Sequence, residues 1–266
     1  MIDYKKIIDR CGAKVNIKYI PIIDFVELEI VSYCNLKCFA CNRWCSSAPT
    51  NDQMSVEQVE KFVKESIDLA KKWKNIAIMG GEPSLHPNIK EIINVIEVYH
   101  KFSPSTRITF ISNGIGDKTK KVLSELPNFI EKHATTDLKN TRDVNNVIPE
   151  FGNSLLAPID RLKEISNNGI IDSCNIASSC GLGLNKYGYV ACGCGAAIAR
   201  VLGIDMFVKD LRDVSIAKSI EQLKIICLFC GRNLEYSILC QNDASISDFW
   251  KMALQEYNGK NNLEPY

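Results

Sequence analysis

Four of the chain's twelve cysteines fall within twelve residues, in Cys34-Asn-Leu-Lys-Cys38-Phe-Ala-Cys41-Asn-Arg-Trp-Cys45. The first three form a CxxxCxxC triplet. Three thiolates from one short loop can hold three irons of a cubane iron-sulfur cluster and leave the fourth iron open to an exogenous ligand. The competing chemistry is a structural zinc ion, with Cys45 completing a tetrahedral set of four. A closed zinc site needs no glycine-rich partner at the next strand end. The sequence supplies one, Met79-Gly80-Gly81-Glu82-Pro83, which favours the open cluster. Cys45 is then read as lying outside the cluster, because a fourth protein ligand would close the iron.

A second group lies in the last hundred residues: Cys227-Leu-Phe-Cys230, with Cys180 and Cys192 flanking the turn at Gly188. The spacing suits metal ligation, and the same four thiolates would also suit a structural zinc knot. Cys174, Cys194 and Cys240 stand as alternative ligands, and Cys11 has no partner pattern. So many cysteines in a chain without a secretion signal point to metal or thiol chemistry rather than disulfides.

The elements that must position these groups alternate. Asp24 to Val31 reads as a strand ending just before the first cysteines. Ser55 with Gln58 opens an amphipathic helix running to about Trp73. Asn75 to Met79 is an apolar strand stopping at the glycines. A helix over about Asn88 to His100 leads to a strand over Arg107 to Ser112, which ends at Asn113-Gly114. This βαβα order predicts an α/β fold with a parallel sheet covered by helices. The cysteine loop, "GGEP" and "SNG" all fall at C-terminal strand ends, so they should converge.

These three motifs in this order resemble the radical S-adenosylmethionine superfamily over roughly Glu27 to Asp137. The resemblance implies a partial (β/α)6 barrel of the TIM type. It assigns Cys34, Cys38 and Cys41 to a 4Fe-4S cluster whose open iron chelates S-adenosylmethionine. Reductive cleavage then gives a 5′-deoxyadenosyl radical that abstracts hydrogen from substrate. It places Gly80, Gly81, Glu82 and Pro83 at the methionine amino group and Ser112 and Asn113 near the ribose or carboxylate. The family's usual aromatic residue before the third cysteine is replaced here by Ala40, with Phe39 one place earlier as the adenine contact. The C-terminal cysteines resemble the Twitch lobe, a shortened SPASM domain, which implies a second, auxiliary 4Fe-4S cluster on Cys180, Cys192, Cys227 and Cys230. The implied organisation is an N-terminal extension (1–23), a barrel core (24–171) and an auxiliary-cluster lobe (172–266). A flavodoxin- or ferredoxin-type reductant is the implied partner.

The expected reaction is dehydrogenation of a small polar metabolite, a sugar or cyclitol, or its epimerisation through a thiol such as Cys45. His133, Asp137 and Lys139 are candidate bases on or after a strand. His86 is expected to brace the glycine loop, and Arg200 is read as an exposed helix arginine unless it binds an anionic group. A peptide-modifying enzyme is the second reading; the 23 residues ahead of Asp24 are few for a leader-binding domain. A non-enzymatic iron-sulfur or zinc protein is the third, and it leaves "GGEP" and "SNG" without a role. Lysine plus arginine (32) nearly balances aspartate plus glutamate (31), which disfavours nucleic acid. No stretch reads as a signal peptide or membrane span, so a cytoplasmic location is expected.

Overall fold

A computed structural model describes residues 3–134, 153–166, 168–232, 245–257, 259 and 262–266. The chain opens with helix α1 (Tyr4–Cys11) and a short strand β1 (Lys14–Asn16), followed by β2 (Phe25–Val31) and α2 (Val56–Asp68). Then come β3 (Asn75–Gly80), α3 (Ile89–Phe102), β4 (Arg107–Ser112), α4 (Asp117–Glu125) and β5 (Ile130–Ala134). The predicted helices and strands of this half are therefore present. Ser55 and Gln58 cap α2 reciprocally, side chain to backbone in both directions. That helix stops at Asp68, short of the expected Trp73. Ala70 turns left-handed (φ 48°), and Ala70 and Lys71 return their N–H groups to the carbonyls of Ile67 and Ser66. This is a Schellman stop with alanine where glycine is usual.

Strands β2 to β5 are parallel and consecutive in space, which the order of strand and helix dictates. One face of β2 sends Val26, Leu28 and Ile30 into an apolar core with α2 and α3, where Phe62, Ile92 and Ile96 are fully buried. On its other side β2 pairs in parallel with β7 (Leu182–Asn185), which turns at Gly188 into antiparallel β8 (Gly188–Val190). The six-stranded order is β5-β4-β3-β2-β7-β8. The remaining strand, β6 (Ile170–Asp172), pairs with β1 instead. Among the described residues, then, four strands follow the barrel succession, and a hairpin from the cysteine-rich region occupies the flank of β2.

A second core gathers the helices Gly193–Leu202 and Ile216–Ile226, Trp250, and Ala40, Trp44 and Ala48 of the first cysteine loop. The cysteine-rich region is thus continuous with the barrel, through the sheet and through this core.

Candidate active site

The three predicted loops meet at the C-terminal edge of the sheet, and Glu82 ties two of them together. Its side chain is fully buried. Oε1 accepts from the Ser84 N–H (3.1 Å), the Ser84 hydroxyl (2.6 Å) and the Ser112 hydroxyl (2.9 Å), and Oε2 accepts from the Asn113 N–H (2.7 Å). A buried carboxylate needs such a shell, and it holds "GGEP" against "SNG". Ser112 also accepts the Gly114 N–H (3.0 Å), so its hydroxyl serves the brace in both directions. Pro83 begins a single 3₁₀ turn, Pro83–Leu85. The Asn113 side-chain amide donates to Asn35 (2.8 Å) and lies 3.5 Å from the Cys34 sulfur, joining "SNG" to the cysteine loop.

The two glycines are required by the cysteine loop itself. A Cβ on Gly81 would lie 1.9 Å from the Tyr33 carbonyl oxygen, and one on Gly80, whose φ is 138°, 2.2 Å from that of Val31. The Gly81 N–H donates to the Val31 carbonyl (2.8 Å) and the Glu82 N–H to that of Tyr33 (2.9 Å). β2 carries an irregularity between Glu29 and Val31, where the chain leaves the sheet for the cysteines.

Cys34, Cys38 and Cys41 all sit on this loop, part-buried, with Cys45 buried behind them. The Cys45 thiol donates to Cys41, which holds the Cys41 thiol down to about 6 and pushes that of Cys45 up. Burial raises the Cys34 thiol. Tyr33, Cys34, Lys37, Cys45 and Ser46 line an open cavity of about 510 Å³. Phe39 packs on the second core, while Ala40 is buried in left-handed conformation (φ 49°), its carbonyl taken by the Ser154 hydroxyl (2.8 Å). Three thiols, a close-packed glycine edge and an adjoining cavity fit an open-iron cluster and a small polar cofactor.

The second cysteine set differs from the expected one. Cys174, Cys192, Cys194, Cys227, Cys230 and Arg232 line one void. Cys180 does not: it lies part-buried before β7, its thiol raised by burial and then by Glu27. The void thus brings Cys174 together with Cys192, Cys227 and Cys230 of the expected set and leaves Cys180 off its wall. The reason is topological: Cys174 follows β6 directly, whereas Cys180 precedes the strand that joins the main sheet. Burial pushes the thiols of Cys174, Cys192, Cys227 and Cys230 up. Among the described residues no three His, Cys, Asp or Glu side chains stand as close as ligands of one ion would. These thiols instead surround their void from three segments, the donor set and arrangement that suit the separate irons of a cluster.

Sequence reading missed the layer that adjoins both sets. Glu27 and Glu29 project from β2 opposite the core face and are buried. Arg43, two residues beyond Cys41, reaches down to them: Nη2 to Glu27 Oε2 is 2.7 Å and Nη1 to Glu29 Oε2 is 3.8 Å. Burial raises the Glu29 carboxyl, against the pull of Arg43 and Arg200. The alternation of apolar and acidic residues in "FVELEIV" carried the signal, since acids on the inner face of a parallel strand call for a buried cation. Arg200, expected to be exposed, is fully buried; it donates to the Ala48 carbonyl, the Tyr257 hydroxyl and the Arg43 carbonyl. His86 is the expected brace, with Nε2 on the Met54 carbonyl (2.8 Å) and Nδ1 receiving the Asn88 N–H (3.0 Å). His133 is exposed on β5. Asp137, Lys139 and Cys240 lie outside the described residues.

The sequence matches the Radical SAM superfamily over residues 28–186, and the chain belongs to it. Radical SAM enzymes use a 4Fe-4S cluster and S-adenosylmethionine. Among curated relatives, a probable GTP 3′,8-cyclase of Methanococcus maripaludis is 35% identical over 89 residues, covering 34% of this chain and 28% of that protein. The GTP 3′,8-cyclase of Clostridium perfringens is 28% identical over 159 residues, covering 58% and 42%. The chain thus spans less than half the length of either. A crystal structure of BtrN with AdoMet and 2-DOIA aligns at TM-score 0.47 and 15% identity, over 83% of this chain and 92% of that one. Streptococcus suis SuiB bound to S-adenosylmethionine aligns at 0.33 and 16%, over 47% and 26%. No helix among the described residues is long and apolar enough to cross a membrane.

Proposed function

We propose that the protein is a radical oxidoreductase that dehydrogenates a hydroxyl-bearing carbon of a small polar metabolite, a sugar or cyclitol, with epimerisation as the nearest variant. Cys34, Cys38 and Cys41 hold the cluster that binds S-adenosylmethionine. Gly80 and Gly81 shape the edge where its methionine end lies, and Asn113 orients the Cys34 side of the loop. Cys174, Cys192, Cys227 and Cys230 hold an auxiliary 4Fe-4S cluster, with Cys194 as a fifth thiol on the same void. Oxidation of an alcohol carbon to a carbonyl removes a hydrogen atom, then a proton and an electron. S-adenosylmethionine held at Cys34, Cys38 and Cys41 would supply the hydrogen-atom abstraction, a polar group or water would take the proton, and a cluster held by Cys174, Cys192, Cys227 and Cys230 would supply the electron acceptor.

One observation carries this reading. A second thiol set, mostly buried, abuts the Glu27-Arg43-Glu29 layer through Gly193, which lies between Cys192 and Cys194. A zinc knot serving stability alone has no reason to abut that layer. Cys45, behind Cys41, remains the thiol nearest the first set for a hydrogen return in the epimerase variant.

The test is anaerobic reconstitution followed by dithionite. The reading expects about eight irons, two four-iron clusters, and release of 5′-deoxyadenosine. Stoichiometric zinc without cleavage overturns it. Cleavage is then measured with sugars, cyclitols, GTP and short peptides, and coupling to oxidation of a polyol supports the proposed substrate class. Coupling to a peptide alone replaces it with the maturase reading.

A further inference from the structure

Arg43 belongs to the first cysteine loop and reaches the second set as well. Its side chain is only 4% exposed and pairs with Glu27 on β2. There it meets the first residue of the Gly193–Leu202 helix. A Cβ on Gly193 would fall 2.1 Å from Arg43 Nη1 and 1.9 Å from Glu27 Oε2. Gly193 lies between Cys192 and Cys194, both of which line the thiol void. The guanidinium is also incompletely satisfied: Nε and Nη1 are buried without a hydrogen-bond partner. Glu27 offsets part of this charge, and what remains is little screened by water at so buried a site.

Two further features add positive potential at the same void. The Gly193–Leu202 helix turns its N-terminus toward it, with the Gly195 N–H directed at the Cys192 sulfur (3.3 Å). Arg232 forms part of its wall. Around the first set the buried groups are of both signs: Glu82 bonded to Asn113 beside Cys34 and Glu29 bonded to Ser32, with Arg43 and Arg200 at the cysteine loop itself.

We propose that Arg43 is a positioning residue that raises the reduction potential of the auxiliary cluster. The proposal rests on the auxiliary-cluster reading above. Reduction adds negative charge to a cluster, and cluster potentials respond to net charge and hydrogen bonding in their surroundings. Glu27, which partly neutralises Arg43, opposes it.

The test uses protein in which Cys34, Cys38 and Cys41 are replaced by alanine, so that the remaining cluster alone is titrated by electron paramagnetic resonance. Arg43→Met should lower its midpoint by at least a tenfold change in the one-electron equilibrium, about 59 mV. Glu27→Gln should raise it, and Arg43→Lys should restore most of the loss. Full iron with midpoints unmoved in both Arg43→Met and Glu27→Gln overturns the proposal, leaving the auxiliary cluster intact. Absence of about four irons in the background protein overturns the auxiliary-cluster reading itself. Glu27→Gln removes a charge with little change of shape, so it decides the matter should Arg43→Met not fold.

Discussion

The two cysteine sets are built by opposite means. The first sits on an irregular loop at a sheet edge, part-exposed, with one thiol held down to about 6 and a cavity beside it. The second draws on three segments, its thiols mostly buried and their protons held by desolvation. A loop of three thiols beside open space can present a metal to a ligand; a walled set of five can only hold one. The Glu27-Arg43-Glu29 layer touches both, since Arg43 stems from the first loop and Gly193 of the second set packs on it.

Cysteine replacement attacks that division most directly. Alanine at Cys34, Cys38 and Cys41 should halve the iron and abolish 5′-deoxyadenosine formation. Alanine at Cys227 and Cys230 should also halve the iron, yet leave cofactor cleavage uncoupled from substrate oxidation. If both pairs of measurements change alike, the two regions are not functionally distinct. A finer cut separates Cys174 from Cys180: Cys174→Ala should lose the auxiliary iron, whereas Cys180→Ala should keep it, as read by iron content. The reverse result would restore the ligand set expected from spacing.

Gly81→Ala probes the loop side without touching a ligand. Its Cβ would stand 1.9 Å from the Tyr33 carbonyl, so the edge and the cysteine loop must part. We expect a loss of about 1–3 kcal/mol. Each kcal/mol should lower the melting temperature by about 2–4 °C in a chain of this size. First-site iron should fall with it, while the second site keeps its own.

Much of the first site was legible because its chemistry is local. Cys34, Cys38 and Cys41 share one loop, and "GGEP" and "SNG" each terminate a strand whose apolar run marks it. What the sequence concealed depends on contacts between distant segments. Cys174 and Cys180 are six apart, and only the pairing of β6 with β1 and of β7 with β2 sends them to different places. Arg200 looks like a surface arginine on its own helix, but the cysteine loop folds over it. The Glu82 shell was half visible: its loop was identified, but not that Ser112 would turn to it.

The smallest effect concerns a brace present on one side only. All three histidines, His86, His100 and His133, belong to the first half of the chain, and the second cysteine region has none. Burial lowers the His86 value from 6.5, and its Nδ1 accepts the Asn88 N–H, a bond that protonation would break. The unfolded chain thus takes up the proton before the folded one, and stability is lost as pH falls through and below about 6.5. His86→Gln should flatten that slope by at most about 1 kcal/mol between pH 7 and pH 5, measured by urea unfolding of the apo-protein. Glu29, raised above 4.5, acts in the opposite direction, and Asp24 and Asp52, lowered from 3.8, act below this range. All three are common to both proteins and cancel in the difference. An equal slope in the two would show that the loop edge opens before His86 is protonated, and would move the brace from His86 to Glu82.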